Sequence, residues 1–323
     1  MPKFRWAFIG SGSIAQTAAR QILPSGRHEI TTVHSRQMAN AEKFAAKHGG
    51  VPCLTLKEAV AREDVDGVYL ATVHPAHYSQ ATECLQLQKP VLIEKPFTLN
   101  APQAAELFSL AEQQKLYMAE AMWTWYGDVA HKVKQWIDTG AIGEVRSIQL
   151  YSRVPSARFK VYARLLDINA GGGALLDTGV YPLTYCYRLL GMPQEIRCTA
   201  VMKDGVDTEN EIQLLYPGGV VCGISVSIVT FRIKERAEIT GTKGKITVPW
   251  FHFASKAILE AEGKKQIFEG KTNLLLEFDH MAEAVRAGQT TSVLVPPQAT
   301  TDVMEIMDTC RSQMGLVYPQ ELV

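Results

Sequence analysis

Residues Phe4 to Ile9 read as a strand that runs straight into Gly10-Ser11-Gly12-Ser13-Ile14-Ala15, and residues 14–23 then carry apolar side chains at helical spacing. Strand, glycine turn and helix in that order is the setting in which G-x-G-x-x-[GA] binds a dinucleotide. Gly10 allows the tight turn. Gly12 lets backbone N–H groups approach a pyrophosphate at the positive helix end, which Ser13 and Ile14 begin. Ala15 lets the helix pack close to the sheet. This start commits the first part of the chain to an α/β architecture.

The pattern then repeats. A second strand, His28 to His34, ends in Ser35-Arg36. A carboxylate there would take ribose hydroxyls and repel a 2′-phosphate, whereas serine and arginine hydrogen-bond and neutralise one. The reading is NADP in preference to NAD. Helices over residues 39–48 and 56–61 alternate with strands near 52–54 and 67–71. Thr72-Val73-His74-Pro75-Ala76-His77 follows, then a helix to about residue 87 and a fifth strand, Val91 to Ile93. Such alternation specifies a doubly wound parallel sheet, and right-handed crossovers put every carboxyl end on one edge. Gly12, Arg36, Thr72, His74 and Lys95 are therefore expected to converge there as cofactor contacts, with His77 beside them in the same role. Pro96 has no N–H for a ladder, so Glu94-Lys95 should stand at the strand's end, where open α/β sheets bind ligands. Glu94 is read either as a cofactor contact or as an orienting partner of Lys95.

A helix over residues 101–114 and a sixth strand, 116–120, lead to Trp123-Thr124-Trp125-Tyr126. Those aromatics either line a ring-shaped substrate or pack between domains. After about residue 144 the period changes to that of strands. Residues 154–169 are irregular and carry Arg158, Phe159, Tyr162 and Arg164. A loop of this length in a compact protein is more often functional than idle, and Arg158, Phe159 and Tyr162 join Trp123 and Trp125 as substrate-binding candidates. Gly171-Gly172-Gly173 suits a helix start approached closely by a ligand. Asp177 and Tyr181 lie four apart, on one face of a helix, an acid and a phenol suited to proton handling. Pro182 should loosen that helix if it lies beyond the first turn. Beyond Gly191 come strand-like runs at 195–201, 209–216, 220–229, 235–240 and 245–248, then helices over 274–287 and 297–314. The short turns imply antiparallel pairing. β-Branched residues on both faces suggest that a second copy covers the open face. The expected division is a dinucleotide-binding domain, 1–121, and a substrate-binding and dimerisation domain, 122–323.

Lys+Arg and Asp+Glu balance at 33 each, which gives no electrostatic case for a nucleic-acid or membrane-surface partner. No run approaches the length of a membrane span, and the N-terminus enters a strand directly, without the pattern of a signal peptide. Cys53, Cys84, Cys186, Cys198, Cys222 and Cys310 are scattered, with no Cys-x-x-Cys pair. They suit a reducing compartment, and the expected location is cytoplasmic. His74 with His77, and Glu277 with His280, lack the further ligands a metal needs, so no metal is expected.

Gly10-x-Gly12-x-x-Ala15, Glu94-Lys95-Pro96 and Asp177-x-Gly179-x-Tyr181, in that order and spacing, resemble the Gfo/Idh/MocA oxidoreductase family over essentially the whole length. Within it the chain is similar to the branch of dimeric dihydrodiol dehydrogenase and NADP-dependent D-xylose dehydrogenase. That likeness rests on His74-Pro75-x-His77, Glu120-Ala121-Met122-Trp123-Thr124, residues 172–177, Gly241-Thr242-Lys243-Gly244 and Tyr318-Pro319-Gln320. The resemblance implies a Rossmann domain followed by an α/β domain with an open antiparallel sheet. It implies hydride transfer between NADP and a carbinol carbon of a sugar or cyclic diol, and a proton relay through Lys95 and Tyr181; Asp177 is read as orienting that relay or holding a substrate hydroxyl. Two positions depart from the branch: Trp125 stands where an arginine is usual, and Asn40 where a second basic residue often follows Arg36. Two other readings share the cofactor features: a non-catalytic NADP sensor, and a redox-neutral enzyme that retains its cofactor.

Overall fold

The structure, a computed structural model, describes residues 2–322, with the side chains of residues 160–162 outside the described set. It divides into two units. One comprises Met1–Thr98, Pro102–Trp123 and Asn273–Gln298; the other comprises Leu99–Ala101, Thr124–Thr272 and Ala299–Val323.

The first unit holds six parallel strands, β1 (Phe4–Ile9), β2 (His28–His34), β3 (Val51–Cys53), β4 (Gly67–Leu70), β5 (Val91–Glu94) and β6 (Met118–Ala121), in the order 3-2-1-4-5-6. The connecting helices are α1 (Ser13–Ile22), α2 (Met38–His48), α3 (Leu56–Val60), α4 (His77–Gln86) and α5 (Ala101–Gln114). Every residue of β4, β5 and β6 is buried, as a parallel sheet covered on both faces requires. The strand order reverses between β1 and β4, and sheets of this kind bind ligands at the carboxyl ends beside that point.

The two units do not follow one another along the chain. The chain returns to the first unit with a late helix, Leu275–Arg286. Its Phe278 closes an aromatic core, 4.8 Å from both Trp6 and Tyr69 between ring centroids. Beside it, Trp6 Nε1 donates to His28 Nδ1 (3.2 Å), and His28 Nε2 then donates to Asp279 Oδ1 (3.0 Å). Without this helix the apolar side of β1 and β4 would face water.

The second unit contains α6 (Asp128–Asp138), β7 (Val145–Arg153), α7 (Val180–Leu190), β8 (Glu195–Lys203), β9 (Val206–Leu215), β10 (Val221–Ser227), β11 (Lys234–Gly241), β12 (Gly244–Pro249), β13 (Lys256–Ala261) and β14 (Lys264–Glu269). The late helix of the first unit is α8, and α9 (Pro297–Met314) follows it. The eight strands form one sheet in the order 14-13-12-11-7-10-9-8, antiparallel except between β7 and β10. Helices α6 and α7 pack on one face. The opposite face differs from the β-branched surface expected: it presents Gln149, Tyr151 and Arg153, Glu209 and Glu211, and Arg236 and Glu238 at alternate positions. Arg153 there bonds Glu209 (2.5 Å) and Ser225 (2.8 Å). At the chain's end, buried Arg311 of α9 holds Asp308 (2.7 Å) and Glu321 (2.6 Å), and the Tyr318 hydroxyl donates to Gly172 O (2.6 Å).

Candidate active site

Strand β5 delivers Lys95 to the carboxyl edge of the parallel sheet. Glu94 is only 4 % exposed. Its Oε1 accepts from the Tyr69 hydroxyl (2.6 Å) and its Oε2 from the Lys95 backbone N–H (3.2 Å). Of the two roles open to Glu94, these bonds favour orienting Lys95. The Lys95–Pro96 peptide is cis. His77 is fully buried, with Nδ1 3.0 Å from Pro96 O and Nε2 3.3 Å from Thr72 O. It fastens the loop after β4 to the loop after β5, its ring nitrogens facing a backbone carbonyl of each. Behind Glu94, Glu277 of α8 has no exposed area, and neither carboxyl oxygen has a hydrogen-bond partner among the described residues. Burial, and then the charges of Glu94 and Glu120, push its carboxyl well above the usual range.

The glycine turn suits a dinucleotide. Gly10 has φ +109°, and a Cβ there would lie 2.2 Å from Ala71 O, so no other residue fits. A Cβ on Gly12 would meet nothing within 4 Å, which leaves open space before α1. That helix starts at Ser13 and Ile14 with no side-chain cap and no acidic residue in its first turn. Its N–H groups and positive end are available to a pyrophosphate. Ser35 and exposed Arg36 come directly after β2, with no carboxylate between them. Thr72 follows β4 and donates its hydroxyl to Gln80 (2.6 Å); His74 is buried with its ring 5.9 Å from that of His77.

In the second unit, Asp177 and Tyr181 do not lie along a regular α-helix. Residues Leu175–Gly179 form a π-helical turn, which passes into α7 with Pro182 in its first turn. A proline has no N–H for the i−4 carbonyl, and the wider turn accommodates the gap. The expectation of one shared α-helical face therefore fails. The Asp177 carboxylate accepts from Arg164 Nη2 (2.8 Å). The space beside the glycines is filled by the chain itself: a Cβ on Gly172 would meet the carbonyls of Arg164, Leu165 and Asp167, and one on Gly173 would meet Asp207. Tyr181 packs edge-on against His252, with ring centroids 4.1 Å apart and planes at 89°.

The substrate-binding candidates divide. Trp123 is buried. Trp125, also buried, packs on Tyr185 (6.1 Å) and under the Arg188 guanidinium (4.7 Å), whose pKa burial lowers to about 10. Arg158 is turned onto Val229 O (3.0 Å) and the Phe231 ring (3.5 Å), and Phe159 is exposed. The Tyr162 side chain lies outside the described residues. Among the described residues no group of three or more His, Cys, Asp or Glu is placed to hold a metal ion. Three arrangements were not found from sequence: Glu277 buried beside Glu94 and Glu120, the Arg164–Asp177 pair, and Glu235 bonded to His252. The last had a signal. The Gly241–Gly244 turn sets the β11–β12 register, which pairs Arg236 with Pro249 and so brings Glu235 to the residues after β12.

Two family models match this chain. Residues 4–121 match the oxidoreductase family with NAD-binding Rossmann fold, and residues 130–247 match the GFO/IDH/MocA C-terminal domain. The chain belongs to the Gfo/Idh/MocA oxidoreductase family. It is 28% identical to trans-1,2-dihydrobenzene-1,2-diol dehydrogenase of Mus musculus and 27% identical to that of Homo sapiens, over 98% of this chain and of each relative. Among solved structures it shares its fold with KijD10, a 3-ketoreductase from Actinomadura kijaniata in complex with TDP-benzene and NADP. There the TM-score is 0.85 at 24% identity, over 97% of this chain and 98% of that one. The UDP-N-acetylglucosamine 3-dehydrogenase GnnA of Acidithiobacillus ferrooxidans has the same fold, with a TM-score of 0.81 at 21% identity over 97% and 98%.

Proposed function

We propose that this protein is an NADP-dependent dehydrogenase or reductase that acts on a hydroxyl-bearing carbon of a sugar or cyclic diol. The observation that carries the reading is Lys95 at the carboxyl edge of a Rossmann sheet, its backbone N–H on the buried Glu94 carboxylate. The full-length likeness to diol dehydrogenases supports the substrate class. Gly10, Gly12, Ser13 and Ile14 hold the pyrophosphate, and Ser35 with Arg36 hold the 2′-phosphate. When bound, the nicotinamide supplies or accepts the hydride.

In the oxidative direction Tyr181 takes the hydroxyl proton. A free tyrosine titrates near 10, too high for an efficient base at neutral pH; a nearby ammonium favours the phenolate, and that is the role proposed for Lys95. Asp177, braced by Arg164, orients the relay or holds a substrate hydroxyl. Glu94 and His77 keep the Lys95 loop in place. The protein works as a homodimer through the open face of the second sheet and resides in the cytoplasm. Six scattered cysteines with no Cys-x-x-Cys pair support a reducing location. A screen of aldoses, inositols, diols and dicarbonyls, coupled to NADPH and to NADH, tests the reading. Turnover of a polyol or its carbonyl with NADPH preferred is the expected result; NADPH binding without oxidation across the panel refutes it.

A further inference from the structure

The turn after β12 carries a histidine whose surroundings are costly for a packing residue. Trp250 N–H donates to Glu235 O (3.0 Å), and Trp250 itself is left-handed at φ +53°, so Phe251, His252 and Phe253 fold back beside β11. The Glu235 carboxylate, 8 % exposed, then takes two bonds through one oxygen. One comes from the His252 backbone N–H (2.8 Å) and the other from His252 Nδ1, at short range. Phe251 stacks on the same imidazole at 4.5 Å and 26°. At the ring's other end Nε2 is buried and has no hydrogen-bond partner among the described residues.

A phenylalanine at position 252, like those on either side, would bury no unpaired nitrogen, and a neutral residue at position 235 would bury no carboxylate. Polar groups buried at such cost call for an explanation other than packing. The contact on the far side supplies one. The imidazole stands perpendicular to the Tyr181 ring with centroids 4.1 Å apart, where it limits how far the phenol can shift or tilt toward it. A phenyl ring would make that contact but would be free to turn. The two bonds to Glu235 fix the imidazole plane, and the imidazole plane fixes the phenol.

We propose that Glu235 and His252 are a positioning pair that holds the Tyr181 phenol in the orientation needed for proton transfer. The inference rests on the role proposed for Tyr181 and adds two residues that touch neither substrate nor cofactor. Misplacing a reacting group by about 1 Å costs on the order of 100-fold in rate.

The test uses the full-length, NADP-loaded protein with D-xylose, myo-inositol and trans-cyclohexane-1,2-diol as probes. Glu235→Gln keeps a neutral tether, and His252→Phe keeps the ring but loses the tether. The expected result is graded: kcat falls roughly tenfold in Glu235→Gln and roughly 100-fold in His252→Phe, with KM and NADPH affinity unchanged. In parallel, the Tyr181 Cζ resonance, assigned with Tyr181→Phe, is followed against pH by carbon-13 NMR. Its titration should move in both variants. Wild-type kcat together with an unmoved Tyr181 titration in His252→Phe overturns the proposal, and so does a loss confined to thermal stability in both variants. If the wild type turns over none of the probes while His252→Phe still moves the Tyr181 titration, the pair stands and the proposed reaction falls.

Discussion

Glu277→Gln should make this protein progressively more stable than wild type as pH rises. Glu277 has no exposed area and unpartnered oxygens, and it faces two further carboxylates. Burial first, and Glu94 and Glu120 after it, hold the proton on in the folded state. In the unfolded chain an ordinary glutamate releases its proton near pH 4.3. Between that pH and the raised folded value, the unfolded state binds fewer protons than the folded state. Wild-type stability therefore falls as pH rises, by about 1.4 kcal/mol per pH unit for this group. Glutamine cannot titrate, so the difference between variant and wild type should grow in the variant's favour at the same slope. Any offset from burying an amide is independent of pH and leaves the slope alone. Urea denaturation of both proteins in steps from about pH 5 to pH 8, followed by fluorescence and circular dichroism, measures it. A difference that is flat with pH, or of opposite slope, would mean that Glu277 is ionised in the fold, and the reasoning would fail.

Two other substitutions test separate parts of the structure. Arg36→Glu should lower NADPH affinity roughly 10- to 100-fold, the worth of a charge-assisted bond to phosphate, and leave NADH affinity unharmed. Titration of both cofactors checks it, and an unchanged NADPH-to-NADH ratio would remove Arg36 from the 2′-phosphate site. Arg311→Met should destabilise the second unit by about 1.5–3 kcal/mol at neutral pH, because it leaves the half-buried Asp308 and Glu321 without their cation. Burial alone would raise Glu321, but bonds from Arg311, Asn100 and the Tyr318 backbone hold it below the usual carboxylate range. That stabilisation is present above the unfolded value and lost as pH falls, so the penalty should shrink in denaturation curves taken toward about pH 4.

The parallel sheet was legible because its signals are local. A glycine turn, a period of two and a proline at a strand end each act within a few residues, and together they placed Gly10, Arg36 and Lys95 on one edge. The return of α8 to the first unit was not legible. Its amphipathic pattern says that one face is buried, and nothing in it says that Phe278 meets Trp6 and Tyr69 rather than the nearer sheet. The Asp177–Tyr181 spacing misled because it assumed 3.6 residues per turn, and Pro182 had already made a regular ladder impossible there. The two backbone carbonyls beside His77 were not legible, because sequence shows a side chain's chemistry and not its partners. Glu235 and His252 required the register of a hairpin, which depends on counting back from its turn.

The central claim is that Lys95 serves the proton relay and is not needed to hold the cofactor. Lys95→Met should be tested by measuring NADPH affinity and the rate of a single hydride-transfer turnover in the same preparation. The account predicts NADPH binding close to that of wild type and a turnover rate lower by roughly 10²–10⁴-fold. Turnover at the wild-type rate, with NADPH bound, would contradict it.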